Sequence, residues 1–133
     1  MTPEVAAYLE KARQCLSNAR TLLAIGLSND AGRNTYFAAF HSAQAFIFSR
    51  TGRVAKTHSG ARSEFARLAL EEPLLDRSLT GFSARAYALK EVADYETGPD
   101  SLIPSDRSSA ALETAEQFVD RVAALLEEAH GCE

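Results

Sequence analysis

The chain has no tryptophan, only four prolines and seven glycines in 133 residues, and just two cysteines. So little proline and glycine excludes a collagen-like or low-complexity chain. Cys15 falls inside a helical pattern and Cys132 in the tail. Two such cysteines make no disulfide framework and predict a reducing, cytoplasmic setting. Basic charge is short as well: 14 Lys and Arg against 18 Asp and Glu leave a net charge of −4. A pI near 5.4 excludes a protein that coats nucleic acid by charge alone. No run approaches the roughly 18 uninterrupted apolar residues of a membrane span, so no membrane partner is expected. Met1-Thr2-Pro3-Glu4 lacks the basic start and apolar run of a secretory signal, which argues against export. β-branched residues are sparse and never alternate over a useful length, so no strand is predicted.

What the chain does have is apolar residues at helical spacing along nearly its whole length. Its length fits a single domain over 1–133, able to bury roughly 65–70% of its unfolded surface. Val5, Leu9, Ala12, Leu16, Ala19 and Leu23 step by three and four, predicting a helix over 4–25. After Gly26, Asn29 or Asp30 can cap a helix over 30–50. That helix is apolar on more than one face, which predicts a place at the middle of a bundle. Thr57 or Ser59 caps a shorter helix over 58–70. Leu75, Leu79, Phe82, Ala86, Leu89 and Ala93 form a heptad-like stripe on a long helix over 75–96. Gly98-Pro99 ends it, and Ser105 or Asp106 caps a last helix over 105–128. The fold class is all-α: an up-and-down bundle of four main helices plus one short one.

Three polar constellations interrupt these apolar faces. Tyr36-Phe37-Ala38-Ala39-Phe40-His41 supplies packing mass, with His41 read as a hydrogen-bonded core or interface residue. Lys56-Thr57-His58-Ser59-Gly60, following Arg50 and Arg53, sets cations beside a capped helix start, where free N–H groups also attract phosphate. The plainer account is a solvated connector and a cap. Arg53 and His58 spell Arg-x4-His, but a two-residue pattern in a loop arises readily by chance. In Tyr87-Ala88-Leu89-Lys90-Glu91-Val92-Ala93-Asp94-Tyr95, residues Tyr87, Lys90 and Asp94 share one face. A cation, a carboxylate and two phenols there could bind a phosphodiester and move protons; the plainer account is a surface ion pair. His41, His58, His130 and the cysteines lack zinc-ligand spacing, so no metal is expected. Neither nucleotide nor dinucleotide loops occur, so no cofactor is expected either.

Taken in order, these segments resemble the HEPN superfamily, in particular its small stand-alone UPF0332 members. That group shows Tyr-Tyr-Ala-x-Phe-His, matched by Tyr36 to His41, then Lys-Thr-His-Ser/Arg-Gly, matched by Lys56 to Gly60. It then shows Arg-x-x-Ala-Asp-Tyr, matched in part by Lys90 to Tyr95. The resemblance implies a helical bundle that commonly dimerises. It also implies one of two activities: a metal-independent ribonuclease of toxin–antitoxin systems, or a non-catalytic partner of a minimal nucleotidyltransferase. The nuclease motif of the superfamily is Arg-x4-6-His, two copies of which meet across the dimer. The arginine would hold the scissile phosphate while the histidine moves protons.

This chain departs from that motif at both ends. Lys90 stands at the arginine position and keeps the charge without the bidentate fork. Tyr95 stands at the histidine position, where a phenol near pKa 10 is a poor base at neutral pH. The expected function is therefore one half of a two-component, nucleotidyltransferase-associated module that binds RNA or its partner protein. An active endoribonuclease toxin and a plain oligomeric scaffold are the alternatives. Candidate catalytic residues are Lys90, Asp94 and Tyr95; candidate anion-binding residues are Arg53, Lys56, Thr57 and His58; His41 and Tyr87 complete the set. We expect Lys56, His58 and Lys90 near one cleft, with Arg50 and Arg53 at its rim. A homodimer is also expected, because a bundle this small has limited interior for the 75–93 stripe and the central aromatic helix.

Overall fold

A computed structural model of the protein describes residues 1–131; Cys132 and the side chain of His130 lie outside the described residues. Thr2 opens α1 (Pro3–Ala24), its Oγ1 accepting the Val5 N–H at 3.2 Å, with Pro3 where a missing N–H costs nothing. Val5, Leu9, Ala12, Leu16 and Ala19 bury against α2 (Ser28–Thr51), as their spacing predicts. Gly52 ends α2 at φ +75°, a left-handed conformation that suits glycine, and its N–H reaches the Phe48 carbonyl at 2.8 Å. Then come α3 (His58–Ala69), α4 (Arg77–Thr80), α5 (Phe82–Tyr95), a 3-10 turn (Gly98–Ser101) and α6 (Ser105–Gly131). No strand occurs among the described residues.

α2 is the hub that its apolar girth predicts, packed against α1, α3, α5 and α6. Buried alanines at 31, 38, 39, 43 and 45 let those helices approach closely. Phe46 of α2, Phe65 of α3, Phe118 of α6 and Phe82 of α5 then carry the core across the bundle. Their ring centroids are 5.5, 5.3 and 6.0 Å apart in that order. Burying each such side chain stabilises the fold by about 1.5–3 kcal/mol.

Three expectations about the helices need correction. The helix expected over 75–96 is divided at Gly81 into α4 and α5. There the ladder stretches: Gly81 N–H to Arg77 O is 3.3 Å and Arg85 N–H to Gly81 O is 3.4 Å. Meanwhile the Arg85 guanidinium donates to the Ser78 carbonyl at 2.8 Å, taking an acceptor the ladder would use. The stripe survives the break: Leu75, Phe82, Ala86 and Leu89 are buried in the bundle, while Leu79 and Ala93 are half-buried. Second, Ser105 is the first helical residue of α6 and not its cap, with Pro104 O accepting the Ser108 N–H.

Third, neither Asn29 nor Asp30 caps α2, which starts at Ser28 without a side-chain cap. Asn29 instead straps the segment before α6: its Nδ2 donates to Ser101 O at 2.6 Å and its Oδ1 accepts the Ile103 N–H at 2.8 Å. Asn29→Ala should therefore leave partly buried backbone groups unpaired and cost about 1–3 kcal/mol, read from the urea midpoint. An unchanged midpoint would show that the strap adds nothing.

Candidate functional site

Helices α2, α3 and α5 converge on His58, the first residue of α3. Its place is set by the connector before it. Gln44, buried on α2, grips Ala55 twice: Nε2 donates to the carbonyl at 2.9 Å and Oε1 accepts the N–H at 3.0 Å. Thr57 then caps α3, its Oγ1 accepting the Gly60 N–H at 2.9 Å. A Cβ at Gly60 would stand 2.8 Å from that Oγ1, which is why the motif needs glycine there. Thr57, a candidate anion ligand, has its side-chain oxygen engaged in this cap.

The His58 ring sits among aromatics. Centroids lie 4.7 Å from Phe40, 5.5 Å from Tyr36, 6.0 Å from Phe37 and 6.1 Å from Tyr87. The Tyr36 hydroxyl is hydrogen-bonded to His58 Nδ1 at 2.5 Å. Burial lowers the His58 pKa, the charges of Lys90 and Arg62 lower it further, and Glu91 opposes them. Burial pushes the Tyr36 phenol up to about 12, against the pull of Arg62. His41 lies beside this cluster, stacked on Phe37 and edge-on to Phe40. Its Nδ1 is buried without a hydrogen-bond partner, and burial, then Lys11 and His58, lower its pKa. The expectation of a hydrogen-bonded His41 is thus not met at Nδ1.

On α5, Tyr87, Lys90 and Asp94 share a face as predicted. Tyr87 packs edge-on to Tyr36, with its hydroxyl pKa raised chiefly by hydrogen bonding with Glu91. Lys90 Nζ lies 5.8 Å from the Tyr87 ring and 5.6 Å from the Tyr95 ring. It donates to Asp94 Oδ2 at 2.7 Å, and Asp94 Oδ1 also accepts Arg33 Nε at 2.6 Å. Arg33 in turn pairs with Asp30 and reaches the Ala93 carbonyl at 3.4 Å. Lys90 and then Arg33 hold the Asp94 carboxyl below the usual carboxylate range, and Asp94 raises the Lys90 pKa. Between two cations Asp94 acts as a counter-ion, which makes it a poor proton acceptor. Tyr95 is 69% exposed.

The expected cleft is divided. His58 and Lys90 come together, whereas Arg53 and Lys56 line an adjoining open pocket with Thr51, Gly60 and Glu64. Arg50 turns away from both, pairing with Glu72 at 2.9 Å over the Phe46 ring. Sequence reasoning missed Arg62 and Arg33. Arg62 was within reach, since His58 and Arg62 stand four apart on one helix face. Arg33 showed locally only its neighbour Asp30, because Asp94, the carboxylate that ties it to the site, is 61 residues away.

The chain matches the HEPN domain over residues 5–128 and belongs to that family. Among curated proteins it is 30% identical over 125 residues to "Putative toxin MJ0605" of Methanocaldococcus jannaschii, covering 94% of this chain and 90% of that one. Among solved structures it resembles the crystal structure of TT1696 from Thermus thermophilus. The TM-score is 0.73 over 92% of this chain and 98% of that one, at 20% identity, a likeness of fold.

Proposed function

We propose that this HEPN protein is the toxin-like half of a two-component module, encoded with a minimal nucleotidyltransferase. We further propose that it holds an RNA phosphodiester at the α2–α3–α5 cleft with little or no cleavage. The name of the Methanocaldococcus jannaschii relative supports the toxin-like role. One observation carries the rest: at the motif arginine position stands Lys90, 12% exposed and already paired with Asp94. A lysine whose charge is neutralised internally, followed by an exposed phenol where an imidazole would serve, suits binding better than turnover. The protein acts as a cytoplasmic homodimer in this reading. Exposed Tyr95 ends α5, and exposed Leu27 and Leu102 flank the Ser28–Ile103 hydrogen bond, leaving apolar surface beside the motif for a second copy.

The test is fluorescence anisotropy with a labelled single-stranded RNA across a salt series. With about two to four phosphate contacts, the log–log slope should lie between roughly −1 and −4. Lys56→Glu, on the connector two residues before His58, should weaken binding about tenfold, and Arg121→Glu on α6 should leave it unchanged. Equal losses at both positions would show diffuse attraction and remove the proposed cleft. Light scattering at twice the 14.4 kDa chain mass checks the pairing, and a monomer at high concentration overturns it.

A further inference from the structure

Among the described residues, Arg62 is a cation with no counter-charge. Lys90 and Arg33 share Asp94, Arg50 has Glu72 and Arg67 has Glu64, whereas Arg62 forms no ion pair there. Its guanidinium lies 3.9 Å from the centre of the Tyr87 ring, and Nη1 is shielded from solvent without an acceptor. The guanidinium also engages the Tyr36 hydroxyl, so Nη1 is the donor that lacks an acceptor, and native folds rarely leave one idle. Stacking on Tyr87 holds the planar fork in place, which is the geometry that recognises phosphate oxygens in pairs.

One helical turn earlier, His58 is fixed by an argument about hydrogens. Tyr36 is fully buried; its hydroxyl is hydrogen-bonded to His58 Nδ1 and also meets the Arg62 guanidinium, which can only donate to it. A buried phenol must donate its hydrogen somewhere, so Tyr36 donates and Nδ1 accepts. The neutral imidazole therefore carries its hydrogen on Nε2, which has no protein partner among the described residues. The raised Tyr36 pKa agrees, since the phenol keeps its hydrogen. Protonating His58 would put a second hydrogen on Nδ1 and oppose that bond. The charges facing the ring act with it: Arg62 on α3 and Lys90 on α5 disfavour the imidazolium, and only Glu91 on α5 favours it. Tyr87 on α5 and His41 on α2 complete the titratable neighbours, with Lys11 on α1 behind His41.

We propose that the Arg62 guanidinium and the His58 Nε2–H form the phosphate-holding pair of this protein, with Tyr36 as the positioning residue that fixes the imidazole tautomer. The proposal rests on the phosphodiester reading above and names the groups that perform it. Arg62 supplies the bidentate fork that Lys90 lacks. His58 adds an uncharged donor near neutral pH, and because Nε2 already bears its hydrogen it holds the phosphate without acting as a base there.

The experiment is NMR on the full chain with 15N-labelled histidine and arginine, titrated with inorganic phosphate. Near neutral pH the free protein should show His58 as the Nε2–H tautomer, and phosphate should shift the His58 Nε2 and Arg62 resonances together. Arg62→Lys should weaken phosphate binding about tenfold through loss of the fork. Arg67→Lys, on an exposed residue paired with Glu64, should change nothing. Tyr36→Phe should make His58 titrate at a higher pH than in the native chain. Should Arg62→Lys unfold, His58→Phe is the second arm and should lose binding that His58→Gln keeps. An Nδ1–H tautomer, phosphate shifts confined to Arg53, or unweakened binding by Arg62→Lys or His58→Phe would overturn the proposal. If labelled RNA fails to bind while phosphate still moves Arg62 and His58, this pair stands and the RNA reading falls. If RNA binds Arg62→Lys as tightly as the native chain, the pair falls and the RNA reading stands.

Discussion

Lys90→Arg combined with Tyr95→His is expected to raise ribonuclease activity by up to about 10⁴-fold, with no added metal. Each replacement restores a function worth roughly 10²-fold: a bidentate phosphate clamp and a base that titrates near neutrality. A fluorogenic RNA substrate with excess chelator reads the result, against a native chain expected to cleave weakly or not at all. The structure adds a refinement. Asp94 lies 2.7 Å from Lys90 Nζ and would hold an arginine there as it holds the lysine. Adding Asp94→Asn should therefore raise cleavage further by freeing the new guanidinium for the substrate. If none of these variants cleaves above the native chain, more than two side chains separates this site from a nuclease.

The parts of the molecule legible in the sequence are those with a local cause. The α1 stripe repeats every three or four residues, Gly52 closes α2, and Thr57 caps α3; each follows from neighbours a turn away. The central place of α2 was legible for the same reason, because a helix apolar on several faces must be surrounded. What escaped prediction depends on distant partners. Asn29 reads as a cap by local rules, yet its amide is claimed by Ser101 and Ile103 more than 70 residues on. Gly81 is an exception of local origin: it reads as one position in a long helix, yet Arg85 reaches back only seven residues to take the Ser78 carbonyl. The site shows the same split. Tyr87, Lys90 and Asp94 share a face as their spacing requires, but Asp94 is also held by Arg33 on another helix. The aromatic segment read as packing is packing only in part: Tyr36 is core and also the hydrogen-bond partner of His58.

Phe118→Ala should produce the largest loss of stability of any single change considered. Phe118 is fully buried on α6, with ring centroids 5.3 Å from Phe65 of α3 and 6.0 Å from Phe82 of α5. Removing it takes away the buried ring and leaves a cavity between three helices that relax only partly. Such a change costs about 3–5 kcal/mol. Domains of this size are stable by only about 5–15 kcal/mol, so the melting temperature should fall by roughly 10–20 °C. Exposed charge pairs do not approach that scale: the Arg20–Glu116 pair at 2.9 Å contributes at most about 1 kcal/mol. Thermal melts followed by circular dichroism at 222 nm separate the two, with Arg20→Ala moving the midpoint by only a few degrees. A fall of similar size for Phe118→Ala would mean that Phe65 and Phe82 close over the space, and that the aromatic chain from α2 to α5 is not the centre of the core.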